Sequence, residues 1–359
     1  MRSSLFAFAA LVGTAALGSI ASAGVTTPGS LVVFPEFDNR VQGNNARNWT
    51  LFTLTNTNPT ESVWVHIVYR NHSDIPSQDC LETNRFYRLT ANDTITLLTA
   101  FDNPNRDEGF AYAYAVQSNQ LPETPIKFDH LIASQMDLRG DVEDAGDGSF
   151  EFTPYIFRAG SRLAPNQATD RDGDGLRDLN GLEYEKTPDV LLVPRFFGQD
   201  ADDTNTFLPG GAPRFHSELV LINLSGGRLF DATVNFLVYN DSEDVFSAQH
   251  SFRCWTRVGL SEIDGVFTNQ FLRDFTNHTG NEVAGGGAEF PETGWFSIDG
   301  ATADSTSTSI PDPAILALRI ETDHTNRRCS GAVIPFCLGT QDNGDLYPLA
   351  QNGDTDDTP

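Results

Sequence analysis

Basic side chains are scarce. Lysine and arginine number 23 against 49 aspartates and glutamates, which leaves a formal net charge of −26. Nucleic acid and anionic membrane both require a basic surface, so neither is expected as a partner. Beyond residue 23 there is no apolar run long enough for a bilayer span, and the polar, acidic tail carries no lipidation signal. Long amphipathic helical patterns are almost absent. So are the common catalytic signatures: no G-x-S-x-G elbow, H-E-x-x-H pair, Walker loop, G-x-G-x-x-G or S-x-x-K occurs. The seven histidines are scattered without ligand spacing. His66 sits inside a strand pattern and reads as a satisfied or solvent-facing residue. These absences weigh against catalysis, although a catalytic site assembled from distant loops would leave no such trace.

The chain opens with Arg2, an apolar and small-residue run from Leu5 to Ile20, and Ala21-Ser22-Ala23. That is the pattern of a secretory signal peptide over residues 1–23, removed on export. The expected location is secreted, at the cell surface, or in the periplasm of a bacterium. Export permits disulfides. Cys80, Cys254, Cys329 and Cys337 allow three full pairings. The short apolar stretch between Cys329 and Cys337 suits a local staple, which would leave Cys80 to reach Cys254; free buried thiols are the alternative.

Strand signals fill the rest. Thr50 to Thr55 alternates polar and apolar, and Val63 to Tyr69 is rich in β-branched and aromatic residues. Gly109 to Val116 puts Phe110, Tyr112 and Tyr114 on one face. Hydrophobic residues make up 39% of the chain, enough for a folded core. Many short strands joined by polar turns predict an all-β fold of sandwich type, immunoglobulin-like or jelly-roll-like.

The second half echoes the first. Val32 to Phe37 aligns with Leu191 to Phe196, and Leu54-Thr55-Asn56 with Leu221-Ile222-Asn223. Val65 to Tyr69 aligns with Asn235 to Tyr239, Cys80 with Cys254, and Gly109-Phe110-Ala111 with Gly294-Trp295-Phe296. The expectation is two tandem β-sandwich domains related by internal duplication, each burying its own core. They would span 24–158 and 190–348, with an acidic connector over 159–189 and a disordered tail over 349–359. Asn56 and Asn223 fall where a strand meets a turn, where the side chain can bond the local backbone. Trp64 and Trp295 sit in core strand patterns; Trp49 and Trp255 lie near strand ends. Core packing is favoured over a sugar-stacking platform for these tryptophans.

The connector holds the strongest local motif, Asp170-Arg171-Asp172-Gly173-Asp174-Gly175-Leu176-Arg177-Asp178. Carboxylates at loop positions 1, 3, 5 and 9 with glycine at 6 supply alternating hard oxygens around a sharp turn, which suits Ca²⁺. Leu176 would offer its carbonyl. The run resembles EF-hand loops and the calcium repeats of the thrombospondin type 3 kind, with Glu183-Tyr184 and Thr187-Pro188-Asp189 echoing the end of that repeat. The resemblance covers residues 170–189 and implies Asp170, Asp172, Asp174, Leu176, Asp178 and Glu183 as calcium ligands. Gly181 occupies the position of the expected last acid, and Glu183 arrives two residues late. A second acidic cluster, Asp200 to Asn205, reads as a solvated loop. Together these features point to a secreted, non-catalytic structural or adhesion protein with a structural calcium ion, its partners being surface or matrix polymers or further copies of itself. A carbohydrate-binding protein of a secreted polysaccharide system, or a hydrolase with an unrecognised site, are the alternatives.

Overall fold

The computed structural model describes residues 27–42, 46–75, 77–103, 105, 107–121, 123–141, 148–199, 215–240, 243–275, 292–323 and 328–339. The expected signal peptide, the Asp200 cluster and the tail from 349 onward lie outside them. Among the described residues, no helix is long and apolar enough to cross a membrane.

The first half contains β1 (Leu31–Asp38), β2 (Val41–Gln42), β3 (Ala46–Asn56), β4 (Val63–His72), β5 (Glu82–Leu89) and β6 (Thr94–Leu98). A single helical turn, α1 (Thr99–Asp102), precedes β7 (Glu108–Val116), β8 (Leu131–Asp141), β9 (Gly148–Phe152) and β10 (Tyr155–Phe157). After the connector come β11 (Val190–Phe197), β12 (Phe215–Asn223), β13 (Asp231–Asn240), β14 (Val245–Arg253) and β15 (Trp255–Gly259). Two short helices, α2 (Leu260–Ile263) and α3 (Asn269–Phe275), lead to β16 (Thr293–Asp304), β17 (Ser309–Pro311), β18 (Ile315–Asp323), β19 (Arg328–Val333) and β20 (Phe336–Leu338).

Every sheet is antiparallel. Sheet 1 is β2-β3-β8-β9 with β6 also on β3, and sheet 2 is β10-β1-β7-β4-β5. Sheet 3 is β15-β12-β18-β19, and sheet 4 is β14-β13-β16-β11-β20 with β17 on β16. The strand order of sheet 2 recurs in sheet 4, and the β6-β3-β8-β9 order of sheet 1 recurs in sheet 3. Even the irregularities recur. The register breaks between Phe34 and Phe37 on β1 and between Val193 and Phe196 on β11. Proline, which cannot donate to a ladder, sits at both bulges as Pro35 and Pro194. Opposite each bulge is a glycine: a Cβ on Gly109 would meet Arg70 O at 1.9 Å, and one on Gly294 would meet Tyr239 O at 2.5 Å.

Register corrects two of the sequence matches. Gly109 pairs with Asn71 and Gly294 with Asn240, so Tyr69 falls in the place of Val238, not Tyr239. A slip of one residue in a strand changes the face: Tyr69 and Val238 are buried, whereas Tyr239 is half-exposed. Cys254 is not the counterpart of Cys80. It takes the place of Asp93, because its carbonyl accepts from Asn223 N–H as that of Asp93 accepts from Asn56 N–H. Asn56 and Asn223 make the same Asx turn: their side chains accept from Asn58 N–H at 2.9 Å and Ser225 N–H at 3.0 Å.

Three apolar cores separate the four sheets. Phe34, Phe52, Leu54 and Ile67 fill the space between sheets 1 and 2. Leu219, Leu221, Phe236 and Phe296 fill that between sheets 3 and 4. The third core joins the halves: Leu31, Val33, Tyr112, Tyr114 and Tyr155 of sheet 2 pack against Val220, Ile222, Leu316, Leu318 and Trp255 of sheet 3. Each half thus buries a core of its own, and this third core, which the strand patterns do not foresee, joins them. Sheets 2 and 3 are covered on both faces, which is why β1 is buried at all eight positions and reads as an unbroken apolar run. Polar ties cross the same seam. Trp255 Nε1 donates to Pro35 O at 2.8 Å, Tyr155 OH donates to Ala317 O at 2.8 Å, and Arg257 pairs with Glu36 at 2.7 Å. A disulfide joins Cys80 to Cys254 with 6.0 Å between the Cα atoms. Cys337 is a half-buried free thiol, so it does not form the expected staple with Cys329, whose side chain lies outside the described residues.

Candidate functional site

The connector folds back onto the first half. Lys127 N–H donates to Gln167 O at 2.8 Å, Thr169 N–H to Pro125 O at 2.9 Å, and Gly160 N–H to Glu183 O at 2.7 Å. These bonds hold the ends of the acidic loop. Gly173 and Gly175 both adopt φ of +79°, the left-handed region, although a Cβ at either would meet nothing within 4 Å. Backbone conformation, not space, therefore selects glycine here.

One carboxylate oxygen from each of Asp170, Asp172 and Asp174 lies within 4.8 Å of the others. Two oxygens bound to one Ca²⁺ at about 2.4 Å can be no more than about 4.8 Å apart, so the triad is within the span of a single ion. The same carboxylates brace the turn. Asp170 accepts from Gly173 N–H at 2.7 Å and from Gly175 N–H at 3.3 Å, while Asp174 accepts from Leu176 N–H at 2.8 Å.

The late glutamate has a structural explanation. Gly181 turns left-handed at φ +82°, and Asn180 Oδ1 accepts from Leu182 N–H at 2.7 Å and Glu183 N–H at 3.0 Å. This turn absorbs the two extra residues. It brings the buried Glu183 carboxyl onto Arg171 N–H and onto Asp178 N–H, the latter at 3.2 Å. Burial raises the Glu183 pKa and the negative charges of Asp170 and Asp172 raise it further, against the two backbone donors that lower it. Asp178 is buried and its Oδ2 accepts from Asn180 Nδ2 at 3.0 Å. Leu176 is half-buried. The structure thus brings Asp170, Asp172 and Asp174 together; the predicted ligands Asp178 and Glu183 lie outside that converging group, Glu183 reaching the loop through the backbone N–H groups of Arg171 and Asp178.

Sequence reasoning missed what anchors this loop. Arg177, at loop position 8, is fully buried. Its guanidinium lies 4.7 Å from the Tyr114 ring centroid and 5.7 Å from that of Tyr112, and Nη1 donates to Tyr114 OH at 3.3 Å. Tyr114 OH donates to Glu123 at 2.5 Å, and His66 Nδ1 meets the same carboxylate at 2.9 Å. His66 Nε2 meets Asn84 Oδ1 at 2.6 Å, and Asn84 Nδ2 donates to Glu82 at 3.2 Å. Glu82 pairs with Arg70, whose Nη1 donates to Cys80 O at 3.2 Å. One buried polar chain therefore runs from the acidic loop to the disulfide. His66 is satisfied inside it, as its strand position suggested.

A second concave site lies at the other end of that chain. It is a polar cleft of about 570 Å³ with Arg40, His72, Asp74, Asp107 and Glu108 in its wall. Arg40 Nη1 donates to Glu108 at 2.6 Å, and His72 Nδ1 lies 3.3 Å from Asp79. Burial pushes the Asp107 carboxyl up to about 7, with Glu108 and Asp38 adding repulsion. Burial likewise pushes Glu108 up to about 7, although Arg40 opposes it. In sequence these two acids look like an ordinary polar entry into β7, whose first residue is Glu108. Of the tryptophans, Trp255 is the buried one, Trp64 is half-buried, and Trp295 (39% exposed) and Trp49 (43%) face solvent. Trp295 is therefore not the core residue its strand pattern suggested.

No protein-family model matches the chain, and no curated protein matches it. Among solved structures, the crystal structure of Thermotoga maritima 1070 aligns at 12% identity and a TM-score of 0.25, over 36% of this chain and 95% of that one. Broad bean stain virus aligns at 11% identity and a TM-score of 0.18, over 95% of this chain and 100% of that one. The naturally empty particle of cowpea mosaic virus aligns at 10% identity and a TM-score of 0.17, over 95% and 97%. Similarity at this level carries no functional argument.

Proposed function

We propose that this chain is an exported, non-catalytic structural or adhesive protein of the bacterial cell surface or extracellular space, built by internal duplication and braced by Ca²⁺ in its connector. The observation that carries the reading is the convergence of Asp170, Asp172 and Asp174 within the span of one ion, with Glu183 folded onto the same loop. Uncompensated carboxylates this close repel one another; a divalent cation removes that repulsion and completes the oxygen set. Arg177 then transmits the order of the loop into the core between the halves. The apolar start of the chain and the Cys80–Cys254 bridge support export to an oxidising compartment.

The test is melting temperature with Ca²⁺ and with chelator, on wild type and on Asp172→Ala with Asp174→Ala. At a hundredfold excess over Kd, ion binding adds about 2.7 kcal/mol. For a chain of this size that is a rise of about 5 °C. The rise should vanish in the double variant. A wild type indifferent to both Ca²⁺ and chelator would remove the ion from this account.

A second reading, a hydrolase or binder of a hydroxyl-rich polymer, draws on the polar cleft. Two carboxyls pushed up to about 7 in one concavity are the kind of pair that serves general acid–base work. Release of reducing ends from a panel of polysaccharides, lost in Asp107→Asn, would favour it over the structural reading.

A further inference from the structure

The two halves meet head to tail. Sheet 2 of the first half turns its outer face to sheet 3 of the second. Sheet 4 is the second half's counterpart of sheet 2, with the same strand order, and sheet 1 is the first half's counterpart of sheet 3. The stack therefore ends in one face of each kind, and the sheet-on-sheet part of the contact made inside the chain is available again at its two ends, without the connector residues Leu179 and Tyr184 and the β9 residue Phe150 that share the internal core.

The outer face of sheet 4 is mixed, with Ser297 where sheet 2 has Tyr112 and Asn235 bonding Gly300 O and Gln249 in the open, but its large side chains are apolar. Pairing partners place Trp295 where sheet 2 has Phe110, and Leu237 where it has Val68. They place Phe336 where sheet 2 has Tyr155, and Leu338 where it has Phe157. In sheet 2 these four positions are 0–2% exposed in the core between the halves. In sheet 4 they are 39%, 40%, 65% and 52% exposed, in the same order. Large aromatic and aliphatic groups clustered in the open mark an interaction surface.

We infer that the outer face of sheet 4 docks the outer face of sheet 1 of a second copy of this chain, repeating between molecules the contact that sheets 2 and 3 make within one. Sheet 1 presents Trp49 and Ile132, 43% and 38% exposed, beside the half-buried Leu51, Leu98 and Met136. Its centre is more polar than that of sheet 3. Thr53 and Thr55 stand where sheet 3 has Val220 and Ile222, and they bond Thr96 and Thr94 at 3.2 and 2.8 Å. The contact between molecules is consequently weaker than the one within, and it forms reversibly with concentration. Because the two faces differ, the contact is heterologous and need not close: copies add in a row. This deepens the structural reading above and rests on its non-catalytic premise, not on the calcium loop.

The test is sedimentation of the exported, processed chain up to about 100 μM, a range that detects weak association. Two double variants separate the faces: Leu237→Asp with Phe336→Asp on sheet 4, and Trp49→Asp with Ile132→Asp on sheet 1. All four sites are exposed, and an unchanged melting temperature shows that each variant folds. The wild type should grow with concentration to twice the single-chain mass and beyond. Each variant alone should stay at one chain. An equimolar mixture of the two should reach two chains and stop, since each blocks one end. A wild type that stays at one chain overturns the proposal, as does a sheet 1 variant that still self-associates. Melting with and without Ca²⁺ on the same samples reports the loop separately, so loss of one result leaves the other standing.

Discussion

Arg177 lies with its guanidinium 4.7 Å from the ring centroid of Tyr114, entirely out of water. A buried cation is held by what surrounds it: the faces of Tyr112 and Tyr114, the Tyr114 hydroxyl and the charge of Glu123. Truncation to alanine removes the cation–π contacts and leaves a cavity, at a cost of about 3–5 kcal/mol. Arg177→Met keeps the volume and removes the charge, and should cost less. Urea denaturation of both variants measures the difference. Equal losses would mean that shape alone matters at this position.

The disulfide closes a long loop. Cys80 and Cys254 are 174 residues apart, and a cross-link of that span restrains the unfolded chain strongly, by about 3–5 kcal/mol. Cys80→Ser with Cys254→Ser should lower stability by that amount while the far-ultraviolet circular dichroism stays that of a β protein. The loss should fall on cooperativity between the halves as well, because the bond stitches sheet 2's surroundings to the strand that carries Trp255. A double variant as stable as wild type would show that the shared core suffices.

Much of this architecture was legible in the chain. Alternation in Thr50 to Thr55 and in Phe110, Tyr112 and Tyr114 marked real strands, and the tripeptides ending in Asn56 and Asn223 marked equivalent turns. Pattern could not reveal the third core. Leu31 to Phe34 shows no alternation because its two faces are both covered, which depends on a sheet nearly two hundred residues away. The Tyr69 and Tyr239 match failed for a related reason: similar side chains align by eye, whereas register is set by the ladder and by the bulge between Val234 and Phe236. The loop of acids was visible because its carboxylates are local in sequence. Asp107 and Glu108 were not, because their shifts come from burial and from Asp38 and Glu36 on another strand.

Those two carboxyls give a pH dependence of definite sign. A folded pKa of about 7 against an ordinary carboxyl value near 4 means that the folded state holds protons the unfolded state has lost. Stability contributed by the pair is greatest below about pH 4 and falls as pH rises toward about 7. Asp107→Asn imitates the protonated form. It should match wild type at pH 4.5 and exceed it in melting temperature at pH 8, the gap opening across that interval. The two acids interact, so the wild-type profile belongs to the pair and not to either residue. A variant that runs parallel to wild type across the whole range would place the titration elsewhere.

Glu183 offers the sharpest test of the calcium proposal, because its position departs from the familiar spacing. If it completes the oxygen set, Glu183→Gln removes a charged ligand and should weaken Ca²⁺ binding by about tenfold or more, measured by calorimetry. Asn180→Ala should act in the same direction. It leaves every carboxylate in place but removes the acceptor that turns Leu182 and Glu183 back toward the loop. Without Ca²⁺ the order reverses: burial and its neighbours Asp170 and Asp172 oppose ionisation of Glu183, so the glutamine should be at least as stable as wild type in chelator at pH 8. A variant weaker in chelator and unchanged in Ca²⁺ affinity would make Glu183 a cap for the backbone of Arg171 and Asp178 and nothing more.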